Sequence, residues 1–210
     1  MIGPLTLLTT EPLLLLVQVA ALLAGMILKG VMQARLAAHW GDQSGVQPGF
    51  GWPEPAVHLD LWRLALHLLI GVALPRPVPL ALRGPKAAAV LLGGPVMLVA
   101  LALLLLALQR AQQQLLPATA DVIGTGLGRA AYSLCLHALF NLLPLPALDL
   151  GRTLGKLPLG HPRQWPRLPR LLRGTLLPAL AWTALFLTGT LQQATAPLWA
   201  GLQSTIALLP

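Results

Sequence analysis

Phe140-Asn141-Leu142-Leu143-Pro144-Leu145-Pro146-Ala147-Leu148-Asp149-Leu150-Gly151-Arg152 is the stretch on which the reading of this chain turns. It sits where a long apolar run ends, and it sets an amide, two prolines and a lone acid at that boundary. A carboxylate at membrane depth is costly unless a partner neutralises it. The residues allow two readings: a helix that stops at its prolines with Asp149 among lipid headgroups, or a polar site built at the end of a span.

The surrounding sequence supports the membrane setting. Of 210 residues, 56% are hydrophobic and only 10% charged, with a mean hydropathy of +0.73, whereas soluble domains carry about 25% charged residues. An ordinary soluble enzyme is excluded, and so is disorder, because the prolines and glycines are spread through Leu/Ala/Val runs rather than gathered in polar tracts. At roughly 20 apolar residues per crossing, windows 12–32, 87–108, 122–143 and 171–191 read as spans. Segments 59–74 and 196–209 are shorter, which suits an embedded piece that does not cross and a short terminal helix. The expected fold is therefore an all-α polytopic membrane protein: one membrane-embedded domain over 1–210, a core of about four transmembrane helices over 12–191 and a short helix in 192–210. No Lys or Arg precedes the first apolar window, which argues for a retained first span rather than a cleaved leader. Gln112–Gln114 reads as an external loop.

The net charge of +8 reads as topology rather than nucleic-acid binding. With segment 59–74 not crossing, ten basic residues fall on one side: Arg35, Arg76, Arg83, Lys86, Arg152, Lys156, Arg163, Arg167, Arg170 and Arg173. Arg110 lies in the opposite loop, and Arg129 just inside the next span. The positive-inside rule then puts the Asn141–Asp149 end in the cytoplasm and the N-terminus outside, in a cytoplasmic membrane. The run 163–173, with Trp165, reads as a topology anchor; binding of anionic lipid is the alternative. Gly124-x-Gly126-x-Gly128 reads as a close helix-packing face, and the lone Cys135 as a buried, inert thiol.

The opening stretch resembles the Asn-x-x-Pro-x-Pro-x-Leu-Asp-Gly motif of the site-2 protease family of intramembrane zinc metalloproteases. Four weaker matches precede it in the family's order: Trp40-Gly41-Asp42, Pro55-Ala56-Val57-His58-Leu59-Asp60, the 71–79 stretch ending Pro75-Arg76-Pro77-Val78-Pro79, and Gly93-Gly94-Pro95. The resemblance covers residues 12–191. It implies that Asp149 stands at the third zinc-ligand position, that Asn141 holds a substrate strand and polarises its carbonyl, and that Pro144 and Pro146 shape the peptide-binding turn.

The family's His-Glu-x-x-His would fall on Lys29-Gly30-Val31-Met32-Gln33. That motif works because two His at i and i+4 hold zinc while the Glu takes a proton from the metal-bound water. An ammonium cannot ligate, glycine offers no base and glutamine is a poor ligand. The expectation is a proteolytically inactive homologue without a cofactor, in contact with membrane lipid, that binds or regulates a transmembrane or extended peptide. Lys29 is expected to pair with Asp149 in place of the metal; a snorkelling Lys29 with a hydrated Asp149 is the alternative. A rearranged zinc centre of His58, His137 and Asp149, with Asp60 as base, would keep protease activity. The remaining histidines are His39, His67 and His161. A small transporter or structural membrane protein would rest on composition alone.

Overall fold

Pro12 opens the first long helix, where its missing N–H leaves no helical hydrogen bond unmade. In the computed structural model, which describes residues 3–115, 120–158 and 172–208, this helix α1 is Pro12–His39. At 1.5 Å per residue it is about 42 Å long, and it ends because Gly41 reverses the chain with φ 88, a left-handed conformation that suits glycine. The other ordered helices are α2 Leu61–Ile70, α3 Gly84–Leu115, α4 Thr125–Phe140, α5 Asp149–Lys156, α6 Leu177–Leu187 and α7 Thr190–Ala207. One-turn helices occur at Pro4–Leu7 and Pro55–His58, and wider π turns lead into α4 and α6. No strand occurs among the described residues.

Two helices, α1 and α3, are long and apolar enough to cross a membrane, and a third crossing is formed if Gly174–Leu187 and Thr190–Ala207 count as one bent span. These features suit an integral membrane protein. α4 is shorter and lies between α1 and α3, where Leu22, Met26, Leu98, Ala102, Ala131, Leu134, Cys135 and Ala138 form the main buried cluster. Small residues permit the approach: a Cβ on Gly126 would lie 2.6 Å from Val17 Cγ1, and one on Gly25 would lie 2.8 Å from Leu134.

Three expectations are corrected. The window 171–191 does not run through as one helix: it bends by 76° at Thr188-Gly189, where Gly189 has φ 73, and the last helix starts at Thr190 and is 18 residues long. Gln112–Gln114 belongs to α3, which continues to Leu115. Segment 59–74 is helical only to Ile70; Gly71, at φ 81, ends α2, and residues 72–83 form neither helix nor strand. The anchor residues 163–170 and His161 lie outside the described residues.

The strap at 71–83 follows from Pro75, Pro77 and Pro79, which cannot donate and hold their predecessors out of the helical region. Val72, Ala73, Leu74 and Val78 are nonetheless buried, so the strap's other polar groups need partners, and side chains supply them. His137 Nε2 accepts from the Ala73 N–H at 2.8 Å, while Arg63 donates to the Pro75 carbonyl and Lys156 to that of Leu80, each at 2.6 Å. Arg152 donates to the Val78 carbonyl. Asp42 Oδ2 accepts from the N–H groups of Ala81 (2.6 Å) and Leu82 (2.8 Å).

Burial pushes the Asp42 carboxyl up, but hydrogen bonds from the Ser44 hydroxyl and from the Leu82, Ser44 and Ala81 N–H groups outweigh it and lower the pKa to about 2. A depressed acid stabilises the fold fully above its ordinary value near 3.8 and loses that contribution as pH falls through about 2. The hold of Asp42 on the strap is therefore expected to be independent of pH from 5 upward. Asp42→Asn, which turns one acceptor into a donor, should speed hydrogen exchange at Ala81 and Leu82 about tenfold or more; unchanged exchange would show that the carboxylate does not hold the strap.

Candidate functional site: a buried ion pair

The end of α4 and the start of α5 are set by the stretch that opened the sequence reading. Asn141 closes α4, its Nδ2 donating to the His137 carbonyl at 2.7 Å. The prolines prevent continuation, and the turn is fastened where the Leu150 N–H reaches the Asn141 carbonyl at 3.0 Å. α5 then begins with Asp149 in its first turn, where a negative charge complements the helix dipole. Gly151 is required at this junction, because a Cβ there would overlap the Leu145 carbonyl.

Against this corner α1 presents Lys29 and Gln33, one turn apart on the same face. Lys29 Nζ lies 2.6 Å from Asp149 Oδ2 and donates to Asn141 Oδ1 at 3.0 Å. Gln33 Nε2 is shared between Asp149 Oδ1 and the Leu91 carbonyl of α3, each at 3.2 Å. Relative exposures are 4% for Lys29, 2% for Gln33, 6% for Asn141 and 2% for Asp149, so the whole cluster is buried. Asp149 Oδ2 has no hydrogen-bond partner in addition to the ammonium's charge. Gly94 of α3 closes the third side: a Cβ there would be 2.6 Å from Asp149 Oδ2 and from Gln33 Nε2, and 2.7 Å from Lys29 Cε.

The structure thus gathers Lys29, Gln33, Asn141 and Asp149. The contribution of Gln33 as a carboxylate partner, rather than a failed zinc ligand, was not foreseen; its i+4 spacing from Lys29 was the available signal. Asn141 also differs from expectation, because both ends of its amide are engaged inside the protein. Pro144 is exposed and Pro146 half-buried, on the outer side of the turn with Leu142, which is 42% exposed.

The histidines are used elsewhere. His137 donates from Nδ1 to the Ser133 carbonyl at 2.6 Å and accepts at Nε2 from Ala73, and it stacks on Trp182 at 4.4 Å. With both nitrogens engaged it has no lone pair for a metal. His58 Nε2 faces the Trp52 carbonyl at 2.9 Å, and its unpartnered Nδ1 abuts Gly30, where a Cβ would sit 2.5 Å away. Gly30 therefore admits the His58 ring, and a larger residue at that position would displace it. Asp60, weighed as a base, instead caps α2 through the Arg63 N–H at 2.8 Å and pairs with the Arg63 guanidinium at 3.2 Å. Among the described residues no three His, Cys, Asp or Glu side chains converge on a point where a metal ion could sit. The expected alternative centre of His58, His137 and Asp149 is not assembled, and the donor set around Asp149, an ammonium and two amides, does not fit zinc.

No protein-family profile, characterised protein or solved structure matches the chain.

Proposed function

We propose that this chain is a non-proteolytic protein of site-2 protease-like plan that binds a transmembrane or extended peptide at the Asn141–Leu148 turn, in a cytoplasmic membrane. In this reading four segments cross, the N-terminus is outside and the buried pair lies toward the cytoplasm, as the ten basic residues on that side favour. The observation that carries it is the reach of the Lys29 ammonium to both Asp149 and Asn141. These are the residues the resemblance assigns to metal and substrate, and here a fixed cation occupies their midpoint. With no base at Gly30 and no ligand at Lys29 or Gln33, the site can hold charge and bind but cannot activate water.

The exposed Leu142 and Pro144 are the groups a peptide would meet first. A photo-crosslinking residue at Pro144, in protein co-reconstituted with single-span peptides, should give adducts with intact peptide. The same residue at Leu104 of α3, equally open to lipid at 52% exposure, should give none. Equal labelling at the two positions would refute a binding turn, and chelator-sensitive peptide cleavage would restore the protease reading.

A further inference from the structure

A second polar feature lies away from the ion pair. Between the N-terminal turn, the end of α2, the first half of α4 and the α6–α7 bend is a cavity of about 460 Å³, within the range that holds small molecules. Its walls include Tyr132, Trp182, Phe186 and Trp199. Tyr132 meets Trp199 edge-on at 5.2 Å, and Trp182 lies nearly parallel to Phe186 at 6.2 Å. Trp182 already spends its indole N–H on the Ile70 carbonyl at 3.1 Å, so that ring presents its face rather than a donor.

Two polar side chains on the cavity wall are left unsatisfied. His67 is 1% exposed; the Gly71 backbone is a weak hydrogen-bond partner for one ring N–H, and neither nitrogen makes a hydrogen bond of good geometry. Gln18 Oε1 is likewise buried and unpartnered. Orphaned polar atoms of this kind are costly in a folded protein, and both residues border the same cavity.

We propose that this cavity binds a membrane-dissolved phenol: an apolar aromatic ring whose hydroxyl group or groups satisfy Gln18 and His67. The chemistry selects the class. Gln18 Oε1 can only accept, so the ligand must bring a donor, which excludes hydrocarbons, esters and oxidised quinones. Neutral imidazole offers one donor and one acceptor, and a hydroxyl can answer either. The aromatic walls favour a flat ring by edge and offset-stacked contacts, and the surrounding lipid delivers an apolar solute.

The test compares 4-hexylphenol with its methyl ether, 4-hexylanisole, which keeps shape and apolarity but lacks the donor. Calorimetric titration of the purified full chain in detergent should give saturable binding of the phenol about tenfold or more tighter than the ether. Gln18→Met and His67→Phe should each shrink that preference toward parity, with an unfolding temperature no lower than that of the wild type as the check that the fold survives. If either variant fails to fold, the wild-type comparison decides alone. Equal affinity for the two probes would overturn the proposal, as would a phenol preference that survives both substitutions.

Discussion

Lys29→Met and Asp149→Asn should each destabilise the protein by about 3–5 kcal/mol, the cost of leaving one member of a buried pair uncompensated. Methionine keeps the length of Lys29 and asparagine the shape of Asp149, so lost packing contributes little. In Lys29→Met the carboxylate loses its ion-pair partner and keeps one hydrogen bond, from the Gln33 amide at 3.2 Å, with the Arg152 charge nearby. In Asp149→Asn the ammonium loses its counter-charge and keeps only neutral acceptors, the Asn141 oxygen at 3.0 Å and the oxygen of the introduced amide. The double variant should be less destabilised than either single one, because two neutral groups of similar volume replace the charges. Unfolding in detergent measures all three, and additive costs would show that the charges act separately.

Gly151→Ala should cost about 3 kcal/mol or more, at the upper end for overpacking. Its new Cβ would overlap the Leu145 carbonyl, a backbone atom that cannot rotate aside. The turn must open, and Asp149 moves with it. Gly201→Ala, on α7 with nothing within 4 Å of the added carbon, should raise stability by about 0.5–1 kcal/mol through helix propensity alone and serves as the matched control. A Gly151→Ala variant as stable as the control would mean that the 145–151 corner is not closed as described.

The site was more legible in the sequence than the fold around it. Lys29 and Asp149 stood out because charges are rare in this chain and expensive in apolar surroundings, and motif order placed them opposite one another. The strap at 71–83 was read only through its motif match at 71–79. Its burial depends on partners from distant positions, Asp42, Arg63, His137, Arg152 and Lys156, and no local pattern announces them. The same limit explains His137: its place four residues before Asn141 suggested a ligand facing the site, but the Ala73 N–H and the Ser133 carbonyl claim the ring. The 76° bend at Gly189 was missed because hydropathy bounded the 171–191 window and does not register the backbone turn at Thr188-Gly189. Gly30 and Gly94 looked like motif remnants, and their effect, to admit His58 and to close over the pair, belongs to packing that sequence spacing does not encode.

The claim that Lys29 stands at a former ligand position is tested most directly by giving the position ligands. Lys29→His with Gln33→His would set two imidazoles at i and i+4 beside Asp149, a two-His, one-carboxylate donor set suited to zinc, while leaving Gly30 and the His58 ring untouched. Metal analysis of the purified double variant should find one zinc per chain, bound at higher unfolding temperature and lost when Asp149→Asn is added. A folded double variant that takes up no zinc would contradict the account, because the three positions would then not enclose a metal site.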